Sequence, residues 1–178
     1  MMTNEHWMVK LTEATGVKAA IDEADARHLF PYTLPNVAAA ALEIQRAEEL
    51  LGFSLDVEYR SFLLAANGWK AFYQAVSLFG TNELLGGGLM PLALQALELL
   101  RAGGALEASG VDEGSLIPVA VSEDDVDVFV CGRPGSREAG RVIWFAGEEI
   151  ERFAGFGEFF DSMIEYERRR LRKLTTPN

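Results

Sequence analysis

Cysteine, histidine and positive charge are all scarce in this chain, and each scarcity excludes something. The single cysteine, Cys131, permits no internal disulfide and fits a reducing compartment. It follows an apolar run and precedes Gly132, which reads as an inert, buried thiol. The two histidines, His6 and His28, lie far apart and have no Cys, Asp or Glu at a diagnostic ligand spacing, so neither a metal site nor a histidine base is expected. No apolar run approaches the roughly 20 residues that a membrane helix requires. Met90 to Leu97, for example, is interrupted well before that. The first residues, "MMTNEHWMVKLTEATG", carry polar and acidic side chains where a secretory leader needs an apolar centre. A soluble, cytoplasmic protein is expected.

Sixteen Lys and Arg face 27 Asp and Glu, for a net charge of −11. Five of those sixteen stand in the tail "RRRLRK" (Arg168, Arg169, Arg170, Arg172, Lys173), so the first 167 residues carry −16. Such a field repels nucleic-acid phosphates and anionic lipid, and attracts a basic partner. In the tail, cations at the end of a helix complement its dipole. That structural reading is preferred to a nucleic-acid contact.

What is present is pattern. A helix is expected from about Glu5 to Ala14, resuming from Val17 to Leu29. "FPYTLP" interrupts it, because Pro31 and Pro35 disfavour helix at the residues before them. Asn36 can cap a helix whose apolar face is Val37, Ala40, Ala41, Ile44, Ala47 and Leu51, with Gly52 as a left-handed stop. "SLDVEYRSFLLAANG" predicts the next helix. Asp56 and Glu58 occupy its first turn, Leu55, Tyr59, Phe62 and Leu63 form its buried stripe, and Asn67-Gly68 ends it. "AVSLFG" and "SLIPVAV" read as strands, the second at an edge or a bulge because of Pro118. "DVDVFVCG" alternates, with Val126, Val128 and Val130 on one side and Asp127, Phe129 and Cys131 on the other. A helix from about Leu92 to Arg101, a hairpin through "RVIWFAGEEIERFAGF" and a last helix from about Phe156 complete the order. Helices first, then short adjacent strands, then a helix predict an α+β fold: N-terminal helices packed on a mostly antiparallel sheet, closed by a C-terminal helix.

Few segments could carry chemistry. "GGGLMPLALQ" places glycines before a helix but lacks the Lys-Ser/Thr of a phosphate loop and matches no dinucleotide fingerprint. Ser136 in "RPGSREAGR" has no nucleophile elbow around it. The acidic run Glu123, Asp124, Asp125 and Asp127 at the start of a hairpin lacks the glycine and terminal glutamate of a calcium loop. It reads as a solvated turn or as a surface for a basic partner. Trp69 and Tyr73, with Phe72, follow the Asn-Gly stop as loop aromatics and are either lids on the core or interface anchors. No catalytic residue, metal or cofactor is expected.

One segment resembles a known family. Glu48 or Glu49, then Leu51, Gly52, Leu55, Glu58, Tyr59, Arg60, Phe62, Leu63, Asn67 and Gly68 follow the pattern of the SUKH superfamily, which includes the Smi/Knr cell-wall-assembly regulators. "SLFGTNEL", "LIPVAVSEDDVDVFVC" and the closing "RVIWFAGEEIERFAGFGEFFDSMIEYE" are similar too. Together they extend the resemblance from about Leu34 to Glu167. The family usually has proline where this chain has Asp56, which suggests a divergent branch. The resemblance implies one SUKH-like domain over 1–178, with a helical extension at 1–33, a core at 34–167 and a basic tail at 168–178. It also implies a non-enzymatic binding module. Many bacterial members resemble immunity proteins that occlude a cognate toxin, often a nuclease; fungal members resemble scaffolds. A cytoplasmic neutraliser of a basic toxin, contacting it through Glu123, Asp124, Asp125, Asp127, Trp69 and Tyr73, is the expected function. A housekeeping regulatory or scaffold domain that binds an internal protein or a small ligand is the alternative.

Overall fold

Six strands follow one another across a single sheet in chain order, each antiparallel to the next. They are β1 (Trp69–Tyr73), β2 (Val76–Leu78), β3 (Leu116–Ser122), β4 (Asp127–Gly132), β5 (Val142–Ala146) and β6 (Glu149–Phe153). The computed structural model describes residues 4–176. Helices α1 (Asn4–Ala24), α2 (Ala41–Leu51), α3 (Val57–Leu63) and α7 (Phe156–Thr175) supply one core. Short α4 (Thr81–Leu84), α5 (Met90–Ala102) and α6 (Ala105–Ala108) follow β2, and α5 and α6 build a second core on the opposite face. The expected α+β architecture is present, with helices on both sides of the sheet.

Strand alternation explains the two cores. In β4, Phe129 and Cys131 enter the first, while Val128 and Val130 enter the second. The Cys131 thiol is buried, which pushes its pKa well up. β3 lies inside the sheet and not at an edge, but the other expectation for Pro118 holds, because the β3–β4 register shifts between Pro118 and Ala120.

The residues of the family-like segment act as caps and core. Gly52 takes φ 77° and donates its N–H to Glu48 O, ending α2. Glu48, and not Glu49, holds the next turn: its Oε1 accepts the Leu55 N–H at 2.9 Å and lies 3.5 Å from Arg60 Nε. Asp56 stands just before α3 as its N-cap, accepting the amides of Glu58 and Tyr59. Tyr59 is buried and donates its hydroxyl to Phe79 O at 2.9 Å. Gly68 (φ 84°) lets two chain segments touch, since a Cβ there would meet Leu78 O and Gly80 N at 2.8 Å.

Three sequence expectations change at the N-terminal side. The first helix is continuous through Gly16 and ends at Ala24, short of the expected Leu29. α2 begins at Ala41, not near Asn36, and Glu43 reaches back to the Ala40 N–H at 2.7 Å. Asn36 instead donates its backbone N–H to Gly68 O and its side-chain amide to Asn67 O. Val37, expected on the apolar face, is 89% exposed, whereas Ala39 is buried. The segment around Thr33–Asn36 therefore runs along the outer side of β1, and Thr33 Oγ1 also donates to Lys70 O. The other outer strand, β6, carries Glu149, Glu151 and Arg152, and Arg152 pairs with both Glu149 and Glu138.

α1 is bolted to the domain by its own side chains. Trp7 is fully buried against Phe62, Phe156 and Phe160, and its Nε1 donates to Ser61 Oγ at 2.7 Å. Lys18 is buried and donates to Ala71 O. Where the last turn of α1 opens, Asp25 binds Arg170 of α7 at 2.6 Å.

Candidate interaction face

β3 and β4 are joined by the turn that holds the acidic run. Ser122, buried at the end of β3, accepts the backbone amides of Asp124 (3.3 Å) and Asp125 (3.1 Å) on its Oγ. The Asp125 carboxylate accepts the Val126 N–H at 2.8 Å. Glu123 donates its own N–H to Ala75 O in the neighbouring turn, with its carboxylate 4.0 Å from Lys70. Glu123, Asp124, Asp125 and Val126 are exposed, so the turn presents three carboxylates on an ordered backbone.

Asp127 differs from the other three acids. It opens β4, half-buried, and its Oδ1 accepts the Trp144 Nε1–H at 2.6 Å. Burial raises its pKa, Trp144 opposes that rise and Asp125 adds to it.

The aromatics divide in the same way. Trp69 and Tyr73 do not lie in a loop: they begin and end β1. Trp69 and Phe72 are wholly buried, and Trp69 Nε1 donates to Thr33. Of the two roles open to these side chains, the core role describes Trp69, which has no exposed ring to offer. Tyr73 is also buried, but at the margin of the sheet, where its ring meets Trp144 edge-on (6.4 Å) and Tyr166 (6.2 Å). Its hydroxyl is pushed up to about 12, first by burial and then by Glu167 and Asp127. Tyr73, Trp144, Tyr166 and Asp127 thus make an aromatic corner beside the acidic turn. Trp144 and Tyr166 were not singled out from sequence. The cross-strand pairing of Phe129 with Trp144 places the tryptophan there, and α7 brings Tyr166 against it, ring centroids 6.1 Å apart.

Other sequence features resolve as structure. Glu83 sets its carboxylate against Gly88, a negative charge that opposes phosphate at these glycines, and also accepts the Gly80 N–H. Ser136 donates to Arg133 O within its turn. His28 contacts Asp22 at 3.1 Å. The basic tail is folded into ion pairs: Arg168 with Glu13 and Glu165, Arg169 and Arg172 with Glu165, Arg170 with Asp25. Among the described residues no group of His, Cys, Asp or Glu is placed to hold a metal ion, and no helix is long and apolar enough to cross a membrane.

A six-stranded meander between two helical layers, with Gly52, Asp56, Tyr59, Asn67 and Gly68 committed to caps, core and close crossings, is an α+β domain of the SUKH type. The model of the SMI1 / KNR4 family (SUKH-1) matches residues 38–162, and the chain belongs to that family. A comparison with curated proteins returned no match. α1 and the last turns of α7 lie outside the matched span.

Proposed function

We propose that this protein is a non-catalytic binding module that neutralises a basic protein toxin in the cytoplasm by covering its active surface. The observation that carries the proposal is the acidic turn: Glu123, Asp124 and Asp125 project from a backbone fixed by Ser122, on a chain of net charge −11. Preordered charges of one sign accelerate encounter with an oppositely charged partner and lose little freedom on binding. Membership of a family that includes immunity proteins supports the same reading. The decisive experiment expresses the toxin domain encoded beside this gene, with and without the protein, and measures growth together with complex formation between the purified pair. Rescue with a 1:1 complex is expected. If no neighbouring toxin exists and a tagged copy retrieves a resident cytosolic protein, the scaffold reading of the same family takes its place.

A further inference from the structure

α5 is apolar on more of its circumference than its core contacts require. Ala93, Leu97 and Leu100 are buried in the second core. Beside them Leu92, Ala96 and Leu99, spaced four and three apart, form a second stripe along the shoulder of the helix. Leu92 is 36% exposed and Leu99 68%. In a helix at the surface of a soluble domain that shoulder is normally polar. Facing it are Val126, 62% exposed, and Gly147 in the β5–β6 turn. Val126 continues in sequence the alternation of Val128 and Val130, but unlike them it is not buried in the second core.

Between helix and turns lies a groove of about 320 Å³. Asp125 lines it at one end, exposed Asp124 and Glu148 stand next to its lining residues in the chain, and no cation lines it. The nearest basic residue on α5, Arg101, is engaged by Glu113 at 3.1 Å. An apolar floor, with Gln95 as its neutral polar member and charges of negative sign alone at and beside the rim, sets the chemistry of the occupant: aliphatic side chains for the floor, lysine or arginine for the rim. A second copy of this chain fits badly, since it would bring the same carboxylates together on molecules of net charge −11. The stripe from Leu92 to Leu99 is about 10 Å long, which suits two anchors two helical turns apart.

We infer that this groove is the docking site for a basic amphipathic helix of the partner protein, with two aliphatic anchors lying on Leu92, Leu99 and Val126 and its cations meeting Asp124, Asp125 and Glu148. The inference rests on the binding-module reading and locates its contact surface.

The probe is a short synthetic helix of leucine and lysine with one apolar face, and a control with glutamate in place of lysine, both titrated by fluorescence anisotropy against the full chain. The lysine peptide is expected to bind the wild type and the glutamate peptide not to. The double substitution Leu92→Asn/Leu99→Asn weakens binding about tenfold or more, and Val126→Asn weakens it separately. All three positions are exposed, so thermal unfolding reports whether the fold is retained. Equal affinity for wild type and the folded double variant, or no binding by the wild type, overturns the groove. The growth-rescue experiment is decided independently. A wild type that fails to rescue while its peptide binding depends on Leu92 and Leu99 rejects toxin neutralisation and leaves the groove standing. Rescue by a wild type whose peptide binding ignores those leucines does the reverse.

Discussion

Glu167 Oε1 accepts the backbone N–H of Gln74 at 3.0 Å, tying the distal part of α7 to the turn between β1 and β2. Gln74 (φ 51°) and Ala71 (φ 48°) are two non-glycine residues held in the left-handed region, a conformation that persists only where its surroundings impose it. Glu167 holds one of them and Lys18 the other, through Ala71 O. The Lys18 pKa is lowered, most strongly by burial, although Glu167 pulls it back.

Removing Glu167 therefore orphans a half-buried amide and deprives Lys18 and Arg170 of a buried countercharge. Glu167→Ala is expected to lower unfolding stability by about 3 kcal/mol, measured by urea denaturation with an unchanged m-value. Glu167→Gln, which keeps the acceptor, loses less. A loss below 1 kcal/mol for the alanine variant, roughly the value of an exposed pair, would reject this assignment.

Asn67 caps by side chain across the Asn-Gly crossing. Its Oδ1 accepts the Thr81 N–H at 2.7 Å and its Nδ2 donates to Thr81 Oγ1 at 2.9 Å. Asn67→Ala is expected to destabilise by about 1.5 kcal/mol, seen as a fall in Tm of roughly 5 °C. Gly80→Ala is expected to be worse, because its Cβ would sit 2.4 Å from Asn67 O. A melt for Gly80→Ala indistinguishable from wild type would contradict the packing described.

Asp127 makes a prediction in pH. Its folded pKa is raised above the ordinary 3.8, chiefly by burial, so as pH rises the unfolded carboxyl ionises first. Its contribution to stability is favourable at low pH and is lost as pH climbs through the folded value. Asp127→Asn, which preserves an acceptor for Trp144, is expected to be as stable as wild type or more so at pH 7, with the difference shrinking in acid. Loss of stability in the variant at neutral pH would show that Trp144 requires the charge.

The acidic turn can be tested without disturbing the fold. Glu123→Lys/Asp124→Lys/Asp125→Lys is expected to shift stability by no more than about 0.5 kcal/mol. It should slow association with a basic partner about tenfold in low salt, an effect that fades in high salt. Stopped-flow mixing separates the two rate constants, and an unchanged association rate in low salt removes the turn from the binding face.

Much of the fold was legible because its signals are local. The Val128/Phe129 alternation, the glycine at Gly52 and the stripe of α7 each report a neighbouring backbone conformation. What escaped depends on distant partners. Gly16 stays helical because α1 lies along α7, whose Lys10–Asp161 and Arg168–Glu13 ion pairs no local pattern announces. Asn36 looked like a helix cap, yet it serves Asn67 and Gly68 thirty residues on. β1 is hidden in the sequence because left-handed Ala71 breaks its regularity from within and its register with β2 shifts, so Trp69 reads as a loop aromatic. The candidate face was half visible: charge marked the acidic turn, while the exposed shoulder of α5 reads in sequence like the rest of an apolar helix.

A sheet is only as solitary as its outermost strands allow, and here the two flanks are guarded by different means. β6 deters a stranger's backbone with charge, whereas β1 is shielded by the segment around Thr33–Asn36, held through Lys70 O, Gly68 O and Trp69, while Lys18 of α1 binds β1 itself at Ala71 O. Most of that shield precedes residue 38, where the family match begins. Cutting the chain back to the recognised span would leave β1 bare and a tryptophan-sized hole among Phe62, Phe156 and Phe160. Such a fragment is expected to pair with its own kind and precipitate: the part that carries the family's signature is smaller than the part that covers the sheet's edge.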